Sequence, residues 1–311
     1  MKTVLIGFGR IADTIRHDHL IARRFEYASH AQILSAHPAY EWLGVVDPDI
    51  NARRNATNWN IPCIEADIKD LDFSPEFAVM AIPPEYRLEA LDKMPDLKAV
   101  LVEKPLGKMG QVFLDRCEQR GIRTYINFWR RGVPQLQDLT DHRLELLVGK
   151  PQAVFATYGN GLFNNGSHLI DFIRMILGEI RGVTTISKER LDVVGCSGPI
   201  GDLHACFVLD MGDFPIMVAP IDFNLYREVS LDIWGTKGRY ALFRETLAEV
   251  YYSVRDHRAM ERQKEIDANF PSTKMIDVSK AFYNIYSMIA DDTLPRASMA
   301  TQEVLEEIAD S

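Results

Sequence analysis

Three groups of residues in this chain combine side-chain type and spacing in a way that could do chemistry. The first is Gly7-Phe8-Gly9-Arg10-Ile11-Ala12, a G-x-G-x-x-A pattern directly after the apolar run Thr3-Val4-Leu5-Ile6. Such a turn needs glycine where the backbone bends and where it approaches a pyrophosphate. A small third residue lets the next helix sit close to the strand. Between a strand and a predicted helix, the pattern indicates a dinucleotide site; the blander reading is a bare strand-to-helix turn. The second group is Asp47, at the end of Trp42-Leu43-Gly44-Val45-Val46. A carboxylate there can accept from the adenosine ribose hydroxyls and would repel a 2′-phosphate, which favours NAD and leaves NADP possible. The third is Glu103-Lys104-Pro105, after Ala99-Val100-Leu101-Val102. Strand carboxyl ends face the crevice of a doubly wound sheet, so Lys104 would project towards the nicotinamide.

Asp47 lies well beyond the ~20 residues expected after the glycines. The excess falls between Asp13 and His37 and holds His17, Asp18, His19, His30 and His37, four of the eight histidines in the chain. No closed ligand set of the usual spacing is visible, so no metal is expected. An extended helix or a flap near the cofactor is the preferred reading.

The elements that must position these groups follow from the pattern. Apolar runs at Thr3–Ile6, Trp42–Asp47, Phe77–Ile82, Ala99–Glu103 and Thr124–Phe128 show little polar alternation, as in strands buried on both faces. Helix-like stretches at Ile50–Trp59, Glu85–Lys93 and Gln111–Gln119 separate them. This is an α/β Rossmann domain with a doubly wound parallel sheet, placed at residues 1–125. After Pro151 the texture changes. A helix is predicted over Ser167–Leu177, stopping at Gly178, and helical spacing returns over Lys274–Ala290. Between them, His204–Asp210 and Val229–Trp234 partly alternate, as in a sheet with one covered face. Residues 126–311 are therefore expected to form an α+β domain with a mostly antiparallel open sheet.

Composition sets the boundaries. With 311 residues, two domains are expected, and 47% hydrophobic content suffices for sizeable cores. A net charge of -9 argues against nucleic acid and against an anionic membrane surface. Cys63, Cys117, Cys196 and Cys206 form no CxxC pair and read as small buried hydrophobes in a reducing compartment. Met1–Gly7 has too short an apolar run for a secretion signal, so a cytoplasmic location is expected.

The glycine turn, the strand end Ala81-Ile82-Pro83-Pro84 and Glu103-Lys104-Pro105 resemble those of the glucose–fructose oxidoreductase / inositol dehydrogenase (Gfo/Idh/MocA) family. Asn164-Asn165-Gly166-Ser167-His168-Leu169-Ile170-Asp171 is similar to its D-x-G-x-H-x-x-D segment. Asp232 to Gly238 resembles its E-x-x-G-x-x-G sheet motif. The resemblance implies an NAD(P)-dependent oxidoreductase acting on CH–OH groups, in carbohydrate metabolism. Hydride would pass between nicotinamide and a hydroxyl or keto carbon of a sugar, sugar nucleotide or related polyol. Gly7, Phe8, Gly9, Arg10, Ile11, Ala12, Asp47, Ala81, Ile82, Pro83, Glu103 and Lys104 would meet the cofactor. Lys104 would match the active-site lysine and His168 the histidine that exchanges a proton with substrate. A histidine suits that exchange near neutral pH, and an ammonium can polarise the oxygen. With the cofactor motif early in the chain and His168 later, the expected site is interdomain.

Two departures stand out. Asn164 replaces the family's frequent Asp, and an amide cannot exchange protons as a carboxylate does. Asn164 can still hydrogen-bond a substrate hydroxyl. Arg87 stands where many relatives have His, with its role open between a site residue and a surface cation. Substrate contacts are expected from Asn127, Arg130, Arg131, Tyr158 and Asn160. Paired arginines suit a carboxylate or phosphate, and an ion-pair cluster is the equal alternative. The family implies a homodimer or homotetramer. The competing functional reading is a catalytically silent dinucleotide-sensing regulator on the same fold; a redox-neutral enzyme with tightly held cofactor is a third.

Overall fold

A computed structural model describes residues 1–192, 201–260, 263–267 and 273–311; Cys196 lies outside the described residues. The chain divides into two compact units. The first comprises Met1–Val133 and a returning segment, Val278–Met299; the second comprises Pro134–Asp277 and Ala300–Ser311. The sequence reading assigned all of 126–311 to the second half, so the return of residues 278–299 is new.

In the first unit, β1 (Lys2–Ile6), β2 (Glu41–Val46), β3 (Cys63–Glu65), β4 (Phe77–Met80), β5 (Ala99–Val102) and β6 (Arg123–Ile126) form one sheet. Its order is β3-β2-β1-β4-β5-β6, and every pairing is parallel. This is the Rossmann arrangement, with the order reversing between β1 and β4. All four residues of β4 and of β5 are buried, which explains their unbroken apolar sequence. One face carries Val4, Met80, Val102, Leu91 and Phe113. The other carries Leu5, Val79, Leu101, Leu34 and Tyr40, closed by Ile285, Tyr286 and Ile289 of the returning helix Ala281–Ala290. That helix also fixes the segment after β6. A Cβ on Gly132 would stand 2.0 Å from the Ala281 carbonyl, so only glycine permits the approach.

In the second unit the strands are β7 (Pro151–Tyr158), β8 (Gly182–Asp192), β9 (Gly201–Asp210), β10 (Pro215–Pro220), β11 (Val229–Gly235), β12 (Gly238–Phe243), β13 (Ala248–Asp256), β14 (Lys264–Ile266) and β15 (Lys274–Met275). Their order is β14-β13-β12-β11-β7-β10-β9-β8, with β15 on β13. Only the described pair β7–β10 is parallel. Lys274 and Met275 were expected to be helical; they pair with Glu249 and Ala248 instead, and the helix begins at Ala281. Burial alternates along β11 and β12, as in a sheet with one covered face. The helix Ala300–Asp310 packs on β8, β9 and the helix Ser167–Leu177. Phe155, Ile186, Met217 and Trp234 are exposed. No helix among the described residues is long and apolar enough to cross a membrane.

Candidate active site

The glycine turn sits at the order reversal of the parallel sheet. Gly7 has φ +85°, and a Cβ there would lie 2.6 Å from the Ala81 carbonyl at the end of β4. The Gly7 backbone therefore lies against the Ala81 carbonyl and the Ile82 side chain, and Gly7 admits no side chain. A Cβ on Gly9 would meet nothing within 4 Å, so this residue leaves open space above the turn.

The helix expected after Ala12 does not form. The Asp13 and Ile15 N–H groups donate back to the Gly9 and Arg10 carbonyls, and a 3-10 turn follows at Thr14–His17. Asp18 then starts a fresh short helix, His19–Arg24, by accepting the N–H groups of Leu20 and Ile21. Arg10 pairs with this Asp18 at 3.4 Å. Another helix, His30–Ala36, opens on a capping box: Ser29 Oγ accepts from the Gln32 N–H while Gln32 Oε1 accepts from the Ser29 N–H. The long insertion is thus two short helices rather than an extended one.

Asp47 has a role that spacing did not suggest. Its Oδ2 accepts the Phe8 N–H at 2.6 Å and its Oδ1 the Asp49 N–H at 2.8 Å, so it braces the glycine turn. Each oxygen keeps a second lone pair with which to accept from a ligand hydroxyl.

The end of β5 is held from several sides. Lys104–Pro105 is a cis peptide bond. Arg87, read as a possible surface cation, is 2% exposed, which corrects that reading. It donates from Nη2 to the Glu103 carbonyl at 2.7 Å, from Nη1 to the Pro105 carbonyl at 2.9 Å, and to the Ile82 carbonyl. Burial pushes its guanidinium down to about 10, so it remains charged at neutral pH. The Glu103 side chain turns inwards: Oε1 lies 3.0 Å from His30 Nε2 and accepts from Asn127 Nδ2 at 2.6 Å. Burial pushes the carboxyl up, but hydrogen bonds from His30 and Asn127 and the neighbouring Lys104 outweigh it, leaving Glu103 below the ordinary carboxylate range. His30 Nδ1 lies 2.7 Å from the buried Tyr286 hydroxyl. Asn127 Oδ1 is buried without a hydrogen-bond partner among the described residues.

Arg130 is buried with its guanidinium 4.5 Å from the Trp129 ring centre, and Arg131 is half-buried. Of the remaining histidines in the insertion, His37 is buried, bonded to Ser287 Oγ and in ring contact with Tyr40 and Tyr283, whereas His17 and His19 are exposed. No group of three His, Cys, Asp or Glu residues among the described residues has the geometry to hold a metal.

In the second unit, the other candidate residues gather where β7 runs into the helix Ser167–Leu177. The path is Tyr158, Gly159, then Asn160 in the left-handed region (φ +64°), Gly161, a wide π-type turn to Gly166 and the helix itself. Asp202 of β9, 6% exposed, governs this path and was not singled out from sequence. Its carboxylate accepts the N–H of Phe163 at 3.0 Å and of Asn164 at 2.9 Å. A Cβ on Gly161 would lie 2.1 Å from it. Ser167 Oγ donates to the Asn164 carbonyl at 2.8 Å. Asn164 and His168, four residues apart on this helical run and both half-buried, share a face. Tyr158 is engaged elsewhere: its fully buried hydroxyl donates to the Ala205 carbonyl and accepts the Ala205 N–H.

Asp202 is the residue that sequence reasoning missed, while Arg87 and His30 were noted there without these contacts. An acid beside His204 as the only other polar side chain in the run 201–209, and a Ser-x-x-Gln box spanning His30, were the available signals.

No protein-family model matches this sequence, and no curated protein matches it. Solved structures do resemble it along its whole length. A dehydrogenase (MviM) from Clostridium difficile has a TM-score of 0.71 at 14% identity, covering 100% of this chain and 99% of that one. A super-repressor mutant of Gal80p from Saccharomyces cerevisiae has a TM-score of 0.72 at 13% identity, covering 100% and 95%. A 3-ketoreductase from Actinomadura kijaniata, solved with TDP-benzene and NADP, has a TM-score of 0.68 at 15% identity, covering 99% and 94%. At these identities the likeness is one of fold: a Rossmann unit followed by a unit built on a mixed, mostly antiparallel sheet.

Proposed function

We propose that this protein is an oxidoreductase of the Gfo/Idh/MocA type. It passes a hydride between a nicotinamide dinucleotide, NAD in preference to NADP, and a hydroxyl or keto carbon of a sugar, sugar nucleotide or related polyol. The observation that carries this reading is the glycine turn at the order reversal of the parallel sheet, where open-crevice ligands bind. The residues present fit a dinucleotide. Gly9 leaves room that a Cβ would fill, the Asp47 carboxylate has acceptor capacity in reserve, and Asn127 Oδ1 is a buried acceptor awaiting a donor. Two of the similar structures are a dehydrogenase and an NADP-bound ketoreductase, which supports the same direction.

When bound, the nicotinamide supplies or accepts the hydride. The chain's own residues do the rest. Gly7 to Ala12, Asp47 and Ala81 to Pro83 hold the dinucleotide. Lys104, at the end of β5, polarises the substrate oxygen with its ammonium. His168 takes the proton from a substrate hydroxyl during oxidation, or returns it during reduction. Asn164, on the same helical face, donates to or accepts from a substrate hydroxyl without exchanging a proton. The exposed apolar side chains of the second sheet, Phe155, Met217, Ile186 and Trp234, suit a contact with another copy of the chain.

The test is absorbance in the reduced-nicotinamide band with a panel of sugars, sugar nucleotides and cyclitols. Turnover should fall by roughly 10²–10⁴-fold in Lys104→Ala and in His168→Ala, the range for a lost acid–base group. Cofactor binding with no turnover on any member would instead support the competing reading, a sensing regulator, for which Asn164 in place of an acid is the sequence motive.

A further inference from the structure

We propose that His30 is a positioning residue for Lys104, acting through the partly buried Glu103 carboxylate. It deepens the reading above, since the importance of Lys104 comes from there. His30 is 2% exposed and sits on the insertion between β1 and β2, far from β5 in sequence. Its ring is held at both nitrogens, by the Tyr286 hydroxyl at 2.7 Å and by Glu103 Oε1 at 3.0 Å. A ring carrying its proton on Nε2 satisfies both bonds, donating to Glu103 and accepting from Tyr286. With two fixed partners it cannot rotate without breaking both.

Glu103 is the residue before Lys104. Its side chain is tied by His30 and by the Asn127 amide, and its carbonyl by Arg87, which also takes the Pro105 carbonyl on the far side of Lys104. The main chain on either side of the lysine is thus immobilised by buried polar groups. The titratable groups facing His30 are Glu103, itself beside Lys104, from the end of β5, and Tyr286 from the returning helix, whose carbonyl accepts from the Tyr40 hydroxyl. A negative Glu103 beside Lys104 favours the ammonium form. Removing His30 leaves a largely desolvated carboxylate short of a donor, which drives Glu103 towards its neutral form and withdraws that support.

The experiment reads Lys104 directly and needs no substrate. The lysines are reductively ¹³C-methylated, the Lys104 resonance is assigned with Lys104→Arg, and its titration is followed by NMR. In His30→Phe and in Glu103→Gln the Lys104 titration should move to lower pH by about one unit or more, the scale of one lost neighbouring charge. His30→Gln, which keeps a donor for Glu103, should restore much of the wild-type curve. An unchanged Lys104 titration in folded His30→Phe overturns the proposal. If that variant does not fold, an unchanged titration in Glu103→Gln does the same. Absence of hydride transfer on the sugar panel would defeat the enzymatic reading and leave this measurement standing.

Discussion

His30 and His168 come from two regions that use the same side chain differently. His30 is sealed in the Rossmann unit with both ring nitrogens engaged, one by Tyr286 and one by Glu103. His168 is half-buried on the first turn of a helix, and the main chain leading into that helix is fastened by Asp202 from a neighbouring strand. In the first region a titratable ring is fixed so that it orients its neighbours. In the second the main chain leading into the helix is braced, and the histidine is half-buried on the first turn. The lesson is that residue type nominates chemistry, while the partners of each polar atom decide whether a group orients or reacts.

That contrast can be broken at its strongest point first. Arg87→Met would leave the carbonyls of Ile82, Glu103 and Pro105 without their donor, at a cost of about 3 kcal/mol in stability. Denaturant unfolding measures it. A loss within experimental scatter would mean that the strand ends of the first unit do not depend on their buried polar grip.

Asp202→Ala is the matching test in the second unit. It strips the acceptor from the Phe163 and Asn164 N–H groups and should cost about 2 kcal/mol, near the penalty for one buried unsatisfied group. It should also lower turnover, because His168 follows on the same helical run. Equal activity in a folded Asp202→Ala would show that the main-chain support is dispensable to His168.

The smallest effect is one of pH. The folded value of Glu103 lies below its unfolded value of about 4.3, so its contribution to stability is complete above that pH. It is lost as pH falls through the lower, folded value. Glu103→Gln should therefore have a flatter stability profile on the acid side, read from denaturant midpoints across that window. Identical acid limbs would remove Glu103 from the list of native carboxylates.

The Rossmann sheet was legible because strands buried on both faces carry unbroken apolar runs, as Phe77–Met80 and Ala99–Val102 do. β3, three residues at the sheet edge, was too short to leave such a run. The helix Ser167–Leu177 and its stop at Gly178 were read directly, because Gly178 adopts φ +97° where a glycine is favoured. The return of residues 278–299 was not legible. It rests on Tyr286 and Ile289 fitting against Leu34 and Tyr40, a tertiary match with no local signature. The candidate site residues were nominated by motifs. Their supports were harder to read: Arg87 was noted with its role open and Asp202 was missed, since a buried charge looks in sequence like any other.

The central claim is that the glycine turn of the first unit receives a nicotinamide dinucleotide. Binding of NADH, followed by quenching of protein fluorescence in wild type and in Gly9→Val, tests it most directly. A Cβ on Gly9 meets no protein atom within 4 Å, and its φ is not in the left-handed region, so the variant should keep the wild-type unfolding midpoint. The account predicts saturable binding to wild type and at least about tenfold weaker binding to the variant, a loss of ~1.4 kcal/mol or more. Failure of wild type to bind NADH or NADPH, or equal binding by a folded Gly9→Val, would contradict it.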